Sequence, residues 1–550
     1  MNLQELAIKL KEEIKNSLVK LDYFSHDIAI ELETPKDKNN GDFSSNIAMK
    51  YARIARKSPR VVAEEVISMI NQNEIFIDDI QIAGPGFINF FISKNFLTNV
   101  ISEINDLGDN YGNLTIGKGE HINVEFVSVN PTGSLHIGHA RGAAAGDSIC
   151  RILSKAGYQV TREYYVNDGG NQIHNLALSI ETRYKQEFKI EAVMPEDGYN
   201  GPEIIQTAKE IIAKVGDKYL AEDGYEYFRE YGVNSLLDEL KKDLNEFRVK
   251  FDVWFSEKSL YDNNKVKKTV KLLIDNGYTY EEEGALWLKT SDFNDEKDRV
   301  IIKSDGTYTY LTPDIAYHKD KIDRGYTGLI DVLGSDHHGY IDRLKASIDM
   351  VGGNSKNLNV ELLQMVKVLQ NGKEVKMSKR SGKAITLRDV LDDAGVDSVR
   401  YFFAMRSLNT QMDLDLDLAL KQTNENPVYY AQYAHARINS IFNSAESKGF
   451  DLNNLTTSFT TLESDKAFEL IGILGLYPDA ILQAATQRAP HKITNYINNL
   501  ASAFHSFYND EHVVTADQLK SYERLTLLKA TKTVLKDALK LVGVSAPNKM

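Results

Sequence analysis

The stretch that most limits what this chain can become runs from Ile122 to Asp147. Ile122, Val124, Phe126, Val127 and Val129 form a short apolar run that reads as a buried strand over 122–129. Asn130-Pro131-Thr132-Gly133 then breaks it, and the alanine-rich sequence after Gly138 favours a helix. A strand passing through a tight loop into a helix leaves unpaired backbone N–H groups and a partial positive charge at the loop, and both suit an anion such as phosphate. His136 and His139, three residues apart, can face one bound group from the first helical turn. Alone, a His-x-Gly-His loop reads more readily as two solvated histidines. The balance shifts with Lys376-Met377-Ser378-Lys379-Arg380-Ser381-Gly382 far downstream, whose cations could clamp a polyphosphate. Asn371-Gly372 makes a hairpin turn between Val366–Leu369 and Val375 that would deliver this basic run, which by itself is also readable as a solvated charged loop.

A chain of 550 residues has room for about three or four domains. Its single cysteine, Cys150, rules out an intramolecular disulfide and a cysteine-cluster zinc site, and suits a reducing cytoplasm. The net charge of −13 argues against nucleic-acid binding over the whole surface while leaving room for a local basic track. The N-terminus opens an amphipathic helix rather than a signal segment, and no uninterrupted apolar stretch of ~18 residues occurs, so a cytoplasmic protein with no membrane partner is expected. No long heptad or exposed apolar stripe asks for a second copy, and a monomer is expected.

Residues 1–110 read as a mixed α+β domain. Leu6, Ile8, Leu10, Ile14 and Leu18 give a helical stripe, 28–32 reads as a strand, 48–70 is helical by composition, and 80–92 gives strand, turn, strand. From 111 to 425 short apolar strands alternate with helical stretches. This is the pattern of an α/β domain with a Rossmann-type, doubly wound parallel sheet, in which ligands sit beyond the carboxyl ends of the strands. Within it, about 180–300 reads as a mainly helical insertion with no evident chemistry. Asp305-Gly306 marks a hairpin and Thr312-Pro313-Asp314 starts a helix, which puts Tyr310 and Asp314 at the edge of an element. A strand from Ile330 runs into the polar loop Gly334-Ser335-Asp336-His337-His338-Gly339. This reads as a substrate-contacting loop rather than a metal site, because adjacent histidines rarely converge on one ion. From Asn426 to 550 the spacing is all helical, with an aromatic and histidine stripe open to either core packing or RNA contact, and Gly543 as a helix C-cap.

Taken together, His136-Ile137-Gly138-His139 and Lys376–Arg380 resemble the HIGH and KMSKS signatures of class I aminoacyl-tRNA synthetases. The narrower marks resemble arginyl-tRNA synthetases of bacterial type: Val129-Asn130-Pro131-Thr132-Gly133, His139-Ala140-Arg141-Gly142, Gly41-Asp42-Phe43 with Asn46, Gly84–Asn89, Asn426–Arg437 and Ala546–Met550. Two departures stand out. The lysine signature ends Lys-Arg, and the Asp-Ala-Leu-Arg motif appears as Asp537-Ala538-Leu539-Lys540, which puts the role of Lys540 in doubt.

The resemblance implies a ligase that uses ATP, with Mg²⁺, to convert L-arginine to arginyl-adenylate, then transfers arginine to the 3′ end of tRNA(Arg). It also implies that tRNA must be bound before activation. His136, His139, Lys376 and Lys379 would be catalytic, and ATP would be held by these four with Gly138, Met377 and Ser378. Residues 1–110 would touch the outer corner of the tRNA and 426–550 the anticodon. Chemistry independently suits arginine, because a guanidinium is a planar fork of donors that carboxylates accept in pairs. Glu125 and Asp314 could supply the carboxylates and Tyr310 a wall. The family pattern carries onto these three and onto Asn130 for the amino-acid end, and more loosely onto His338, where Asp336 or His337 could serve instead. Two other readings stay open on the residues alone: a small nucleotidyltransferase working without tRNA, which leaves both end domains unexplained, and a noncatalytic RNA-binding paralogue, which the intact His136, His139, Lys376 and Lys379 oppose.

Overall fold

In the computed structural model, residues 3–550 are described apart from 36, 132, 376–384 and 454. The apolar run near Ile122 lies at the centre of the catalytic region. Five parallel strands form one sheet: β1 (His121–Glu125), β2 (Gln159–Val166), β3 (Val253–Ser256), β4 (Gly328–Gly334) and β5 (Leu358–Leu363), in the order β5-β4-β1-β2-β3. Growing outward in both directions from β1, the sheet is doubly wound, as the alternation of strands and helices implies.

Helix α1 (Ile137–Lys155) follows β1 and is buried almost continuously from Ala140 to Ile149. Its Ala143-Ala144-Ala145-Gly146 face is small because β1 lies directly under it, and a Cβ on Gly146 would come within 2.3 Å of the Phe126 ring. Phe126 is itself fully buried, a burial that contributes about 2–3 kcal/mol.

Several expectations are corrected. The first strand stops at Glu125 rather than Val129, because the chain turns through left-handed backbone at Val127 and Ser128. Residues 28–32 form no strand: a single bridge joins Glu33 to Ser44, and the Glu31 carbonyl is taken by the Ser45 hydroxyl. The 180–300 region is not one helical insertion. Helices Gly170–Glu187, Pro202–Val215 and Tyr225–Glu246 are followed by β3, which returns to the main sheet, and then by the antiparallel strands Thr279–Glu282, Ala285–Leu288 and Arg299–Ile302. The 48–70 stretch is two helices, Ile47–Ala55 and Pro59–Ser68, broken where Arg56 turns left-handed.

Other expectations are met. Leu6, Leu10, Ile14 and Leu18 are fully buried, whereas Ile8 faces out. Strands Ile77–Ala83 and Phe87–Ile92 pair antiparallel. Asn371 and Gly372, both with positive φ, turn Val366–Gln370 back onto Lys373–Glu374. Beyond Asn426, which caps its helix from the side chain, the elements among the described residues are all helices, ending in α3 (Gln518–Leu541). Gly543 closes α3 at φ +71, with the Val544 N–H donating to the Leu539 carbonyl at 3.0 Å.

The domains are tied at named groups. Lys155, at the end of α1, donates to Asp537 (2.8 Å) and to the Asp109 carbonyl (2.7 Å), while Tyr477 donates to the same Asp537 carboxylate. Arg151 donates to the backbone carbonyl of Lys540, so the residue that departs from the Asp-Ala-Leu-Arg motif contributes its main chain to this joint. The closing residues are clasped as well: Ser545 donates to Asp397, Gln432 donates to the Ser545 carbonyl, and His435 meets the Pro547 carbonyl at 2.8 Å. The His435 of the aromatic stripe is thereby buried against the C-terminal tail.

Candidate active site

Immediately after β1 the backbone takes an unusual course. Val127 has φ +71 and Ser128 φ +45, conformations that cost of order 1–3 kcal/mol each for residues with a Cβ. Neighbours hold the turn in place. The Tyr164 hydroxyl donates to the Val129 carbonyl (2.7 Å) and accepts from the Val129 N–H (3.1 Å), and the Tyr165 N–H donates to the Ser128 hydroxyl oxygen (3.1 Å). Ser128 in turn donates to Glu125 at 3.0 Å, fixing that carboxylate at the strand end. The turn also brings Asn130 over the sheet, where its amide donates to Gln172.

His136 caps α1. Its Nδ1 accepts from the N–H groups of Gly138 (3.1 Å) and His139 (3.4 Å), and Nδ1 of His139 accepts from the His136 N–H (3.4 Å). With both Nδ1 atoms occupied as acceptors, both rings carry their proton on Nε2. The rings stack, centroids 3.3 Å apart. Burial lowers the pKa of His136, and burial together with the neighbouring His136 lowers that of His139 to about 3. Both imidazoles are therefore neutral donors at neutral pH. A Cβ on Gly138 would press on the His136 ring at 3.1 Å.

These groups line a cavity of about 620 Å³ beyond the carboxyl ends of the strands, between the β1 turn, α1 and the loop after β4. A second cavity of about 340 Å³ adjoins it, and the two share Glu125, Tyr165, Asn167, Leu333 and His337. The smaller one is floored by the face of α2 (Leu311–Asp323) that carries Asp314 and His318.

Beneath the shared wall, three carboxylates lie side by side across the sheet, Asp331 in register with Glu125 and Glu125 with Glu163. Like charges placed so are destabilising unless matched. Lys321, with no exposed surface, donates to Glu125 (2.6 Å) and Asp331 (3.0 Å), and Arg324 takes Glu163 with both terminal nitrogens (2.6 and 2.7 Å). His318 spans Asp331 on Nε2 (2.9 Å) and Asp314 on Nδ1 (3.0 Å). Burial alone would lower the His318 pKa, but Asp314 and Asp331 push it up to about 10. Although burial opposes it, Lys321 and His318 hold Asp331 well below the usual carboxylate range. Burial is the larger influence on Glu125 and keeps it above its ordinary value against the pull of Lys321.

The expected residues are distributed as follows. His136, Gly138, His139, Asn130 and Glu125 line the larger cavity; Glu125, Tyr310 and Asp314 line the smaller. Tyr310 is 92% exposed, so it stands at the mouth rather than as an enclosing wall. His337 lines both cavities, whereas His338 is exposed and lines neither. Lys376, Met377, Ser378 and Lys379 lie outside the described residues; Thr386, the second residue beyond that segment, pairs with His136 in an isolated bridge. Sequence reasoning missed Lys321, His318, Asp331 and Glu257. Two signals were present: the i, i+4, i+7 spacing of Asp314, His318 and Lys321 on one helix, and an aspartate inside the apolar run Leu329-Ile330-Asp331-Val332-Leu333.

Residues 103–443 match the family described as tRNA synthetases class I (R), catalytic domain. Residues 8–92 match the arginyl tRNA synthetase N terminal domain and 431–550 the DALR anticodon binding domain. The chain is 52% identical to the arginine–tRNA ligase of Bacillus subtilis (strain 168) over all of both chains, and 52% identical to that of Bacillus licheniformis over all of this chain and 99% of the other. Among solved structures, Thermus thermophilus arginyl-tRNA synthetase superposes with a TM-score of 0.76 at 20% identity, covering 98% of this chain and 99% of that one, a likeness of fold.

Proposed function

The chain belongs to the arginyl-tRNA synthetases, ligases that activate L-arginine with ATP and charge tRNA with it, and we propose that its two adjoining cavities divide those small substrates between them. ATP occupies the larger cavity. The Nε2–H groups of His136 and His139 donate to phosphate oxygens, with Gly138 leaving the His136 ring free to do so. Lys376, Met377, Ser378 and Lys379 complete the ATP site. Their assignment rests on the signature they resemble and on the pairing of Thr386 with His136 next to it.

Arginine occupies the smaller cavity, its guanidinium between Glu125 and Asp314, Tyr310 at the entrance and its amino-acid end towards Asn130. His337 is favoured over His338 for the loop contact. The arginine carboxylate oxygen attacks the α-phosphorus, the bond to the bridging oxygen breaks, and pyrophosphate leaves. The terminal ribose hydroxyl of tRNA then attacks the arginyl carbonyl and AMP departs. Catalysis is mainly positioning and charge stabilisation. No group of three or more His, Cys, Asp or Glu among the described residues could hold a metal ion, so Mg²⁺ is proposed only as the counter-ion ATP brings, and no step is routed through it.

The observation that carries this reading is the shared wall, since Glu125 belongs to both cavities. We further propose that the chain acts as a monomer in the cytoplasm. Domains 1–110 and 426–550 grip tRNA(Arg), and 111–425 does the chemistry. The most apolar stretch, 465–486, supports the absence of a membrane role: it divides into two helices around Leu476 and is half buried in the fold. Incubation with ATP, labelled arginine and total tRNA tests the whole reading. Arginyl-tRNA is expected, whereas an arginine-free adenylyl product or no ATP turnover would overturn it.

A further inference from the structure

The arginine pocket has an underlayer, drawn from one helix, that the family signatures do not mark. Asp314, His318 and Lys321 lie on one face of α2, and the latter two reach down to the row of sheet carboxylates. Both oxygens of Glu125 are engaged, one by the Ser128 hydroxyl and the other by the Lys321 ammonium. His318 places Nε2 against the Asp331 carboxylate and Nδ1 against both the Asp314 backbone carbonyl (2.9 Å) and its carboxylate (3.0 Å), so both nitrogens face acceptors, an arrangement that the doubly protonated imidazolium satisfies. Glu163 is matched by Arg324 and does not enter the balance. For the rest, four carboxylates (Glu125, Asp331, Asp314 and Glu257, which also lines the pocket) stand against two cations (Lys321, His318), and negative charge is left unmatched. These carboxylates all line the smaller cavity, so the unmatched charge is presented to its interior.

We infer that Lys321 and His318 are positioning residues for arginine: they orient Glu125 and Asp314 and cancel much of the buried negative charge, leaving a remainder that a cationic side chain completes. This rests on the assignment of Glu125 and Asp314 to the guanidinium. Lys321 lies beneath the pocket and does not line it, whereas His318 lines its floor beside Asp314. Removing Lys321 would leave Glu125 without its cation and beside Asp331, which keeps only His318, and Glu125 would take up a proton or swing away, so it would no longer accept from the guanidinium.

The test is steady-state arginylation of tRNA(Arg) by full-length Lys321→Met, Glu125→Gln and the double variant, varying arginine and ATP separately. Glu125→Gln is expected to raise the KM for arginine at least tenfold. Lys321→Met should do the same with the KM for ATP within twofold of the parent, and in the Glu125→Gln background it should add less than threefold. If Glu125→Gln leaves the KM for arginine unchanged, the pocket assignment itself fails. If Glu125→Gln raises it but Lys321→Met does not, or if the two effects multiply fully, the positioning role fails alone. A parallel loss in both KM values and kcat would mark Lys321 as merely structural and also overturn the inference. Should Lys321→Met not fold, His318→Gln carries the same test through Asp314, with the same selective rise in the KM for arginine expected and an unchanged value overturning the proposal.

Discussion

The Ile137 N–H donates to the Ile385 carbonyl at 3.2 Å, and the Leu387 N–H donates to the Leu135 carbonyl at 2.7 Å. The first residue described after 376–384 is therefore fastened to the first residue of the helix that carries His139. Ile385, the residue that follows the basic segment, thus adjoins the helix start that carries His139, and Lys379→Ala is expected to lower arginine-dependent ATP–pyrophosphate exchange roughly a hundredfold, about 3 kcal/mol in activation. The exchange is measured with tRNA present, since the family resemblance implies none without it. A rate within a few-fold of the parent would remove Lys379 from the site.

His139→Ala is expected to cost a similar factor, about 3 kcal/mol, for the loss of one transition-state donor. Because burial and His136 keep His139 near a pKa of about 3, the imidazole works uncharged. The exchange rate should show no step attributable to this ring between about pH 6 and 8. A rate that climbs as the ring gains a proton in that range would contradict the neutral-donor assignment.

Asp314→Asn keeps the shape of the side chain and removes the charge proposed to face the guanidinium. Truncating one side of a desolvated charge pair costs about 2–5 kcal/mol, so the KM for arginine should rise at least thirtyfold while ATP titrations stay where they were. Unchanged arginine binding would exclude Asp314 from the pocket.

His318 gives stability a pH dependence of definite sign. Its pKa is raised from 6.5 to about 10 in the folded chain, so the stability it contributes is fully present below 6.5 and is lost as pH climbs towards 10. Urea midpoints taken across that range should fall, and His318→Gln should flatten the slope. An equally steep fall in the variant would assign the dependence to another group.

Asp537→Asn is expected to destabilise the chain by about 3 kcal/mol, because Lys155 would remain largely buried beside a neutral partner. Calorimetry should show a lowered melting transition, and Tyr477→Phe, which removes only one donor to the same carboxylate, should cost about 1 kcal/mol.

The sequence made the strand-loop-helix around His136 legible because each part has a local cause: an apolar run, a Pro-Gly break, an alanine-rich stretch. The hairpin at Asn371-Gly372 and the C-cap at Gly543 were legible for the same reason. What local pattern could not reveal was the end of β1. Val127 is a β-branched residue that favours a strand, yet it sits at φ +71 because Tyr164, Tyr165 and Ser128, brought together only by the fold, hold the turn. Nor could spacing reveal that β3 returns to the main sheet from within an apparent helical insertion, since Val253–Ser256 is short and surrounded by charge. In the pocket, Glu125 and Asp314 could be singled out by chemistry, whereas Lys321 looked like one more lysine on a charged helix until the register of β4 on β1 set Asp331 beside Glu125.

Helix α1 begins on the imidazole that caps it and ends on the lysine that grips Asp537. Its 19 residues make a rod about 28 Å long, pinned at one end to the C-terminal domain through Asp537 and carrying His136 and His139 at the other. A lever of that length turns a one-degree tilt at the Lys155 joint into a displacement of about half an ångström at His136. The far domain and the imidazoles thus share a single mechanical member, and whatever rocks the one re-aims the other.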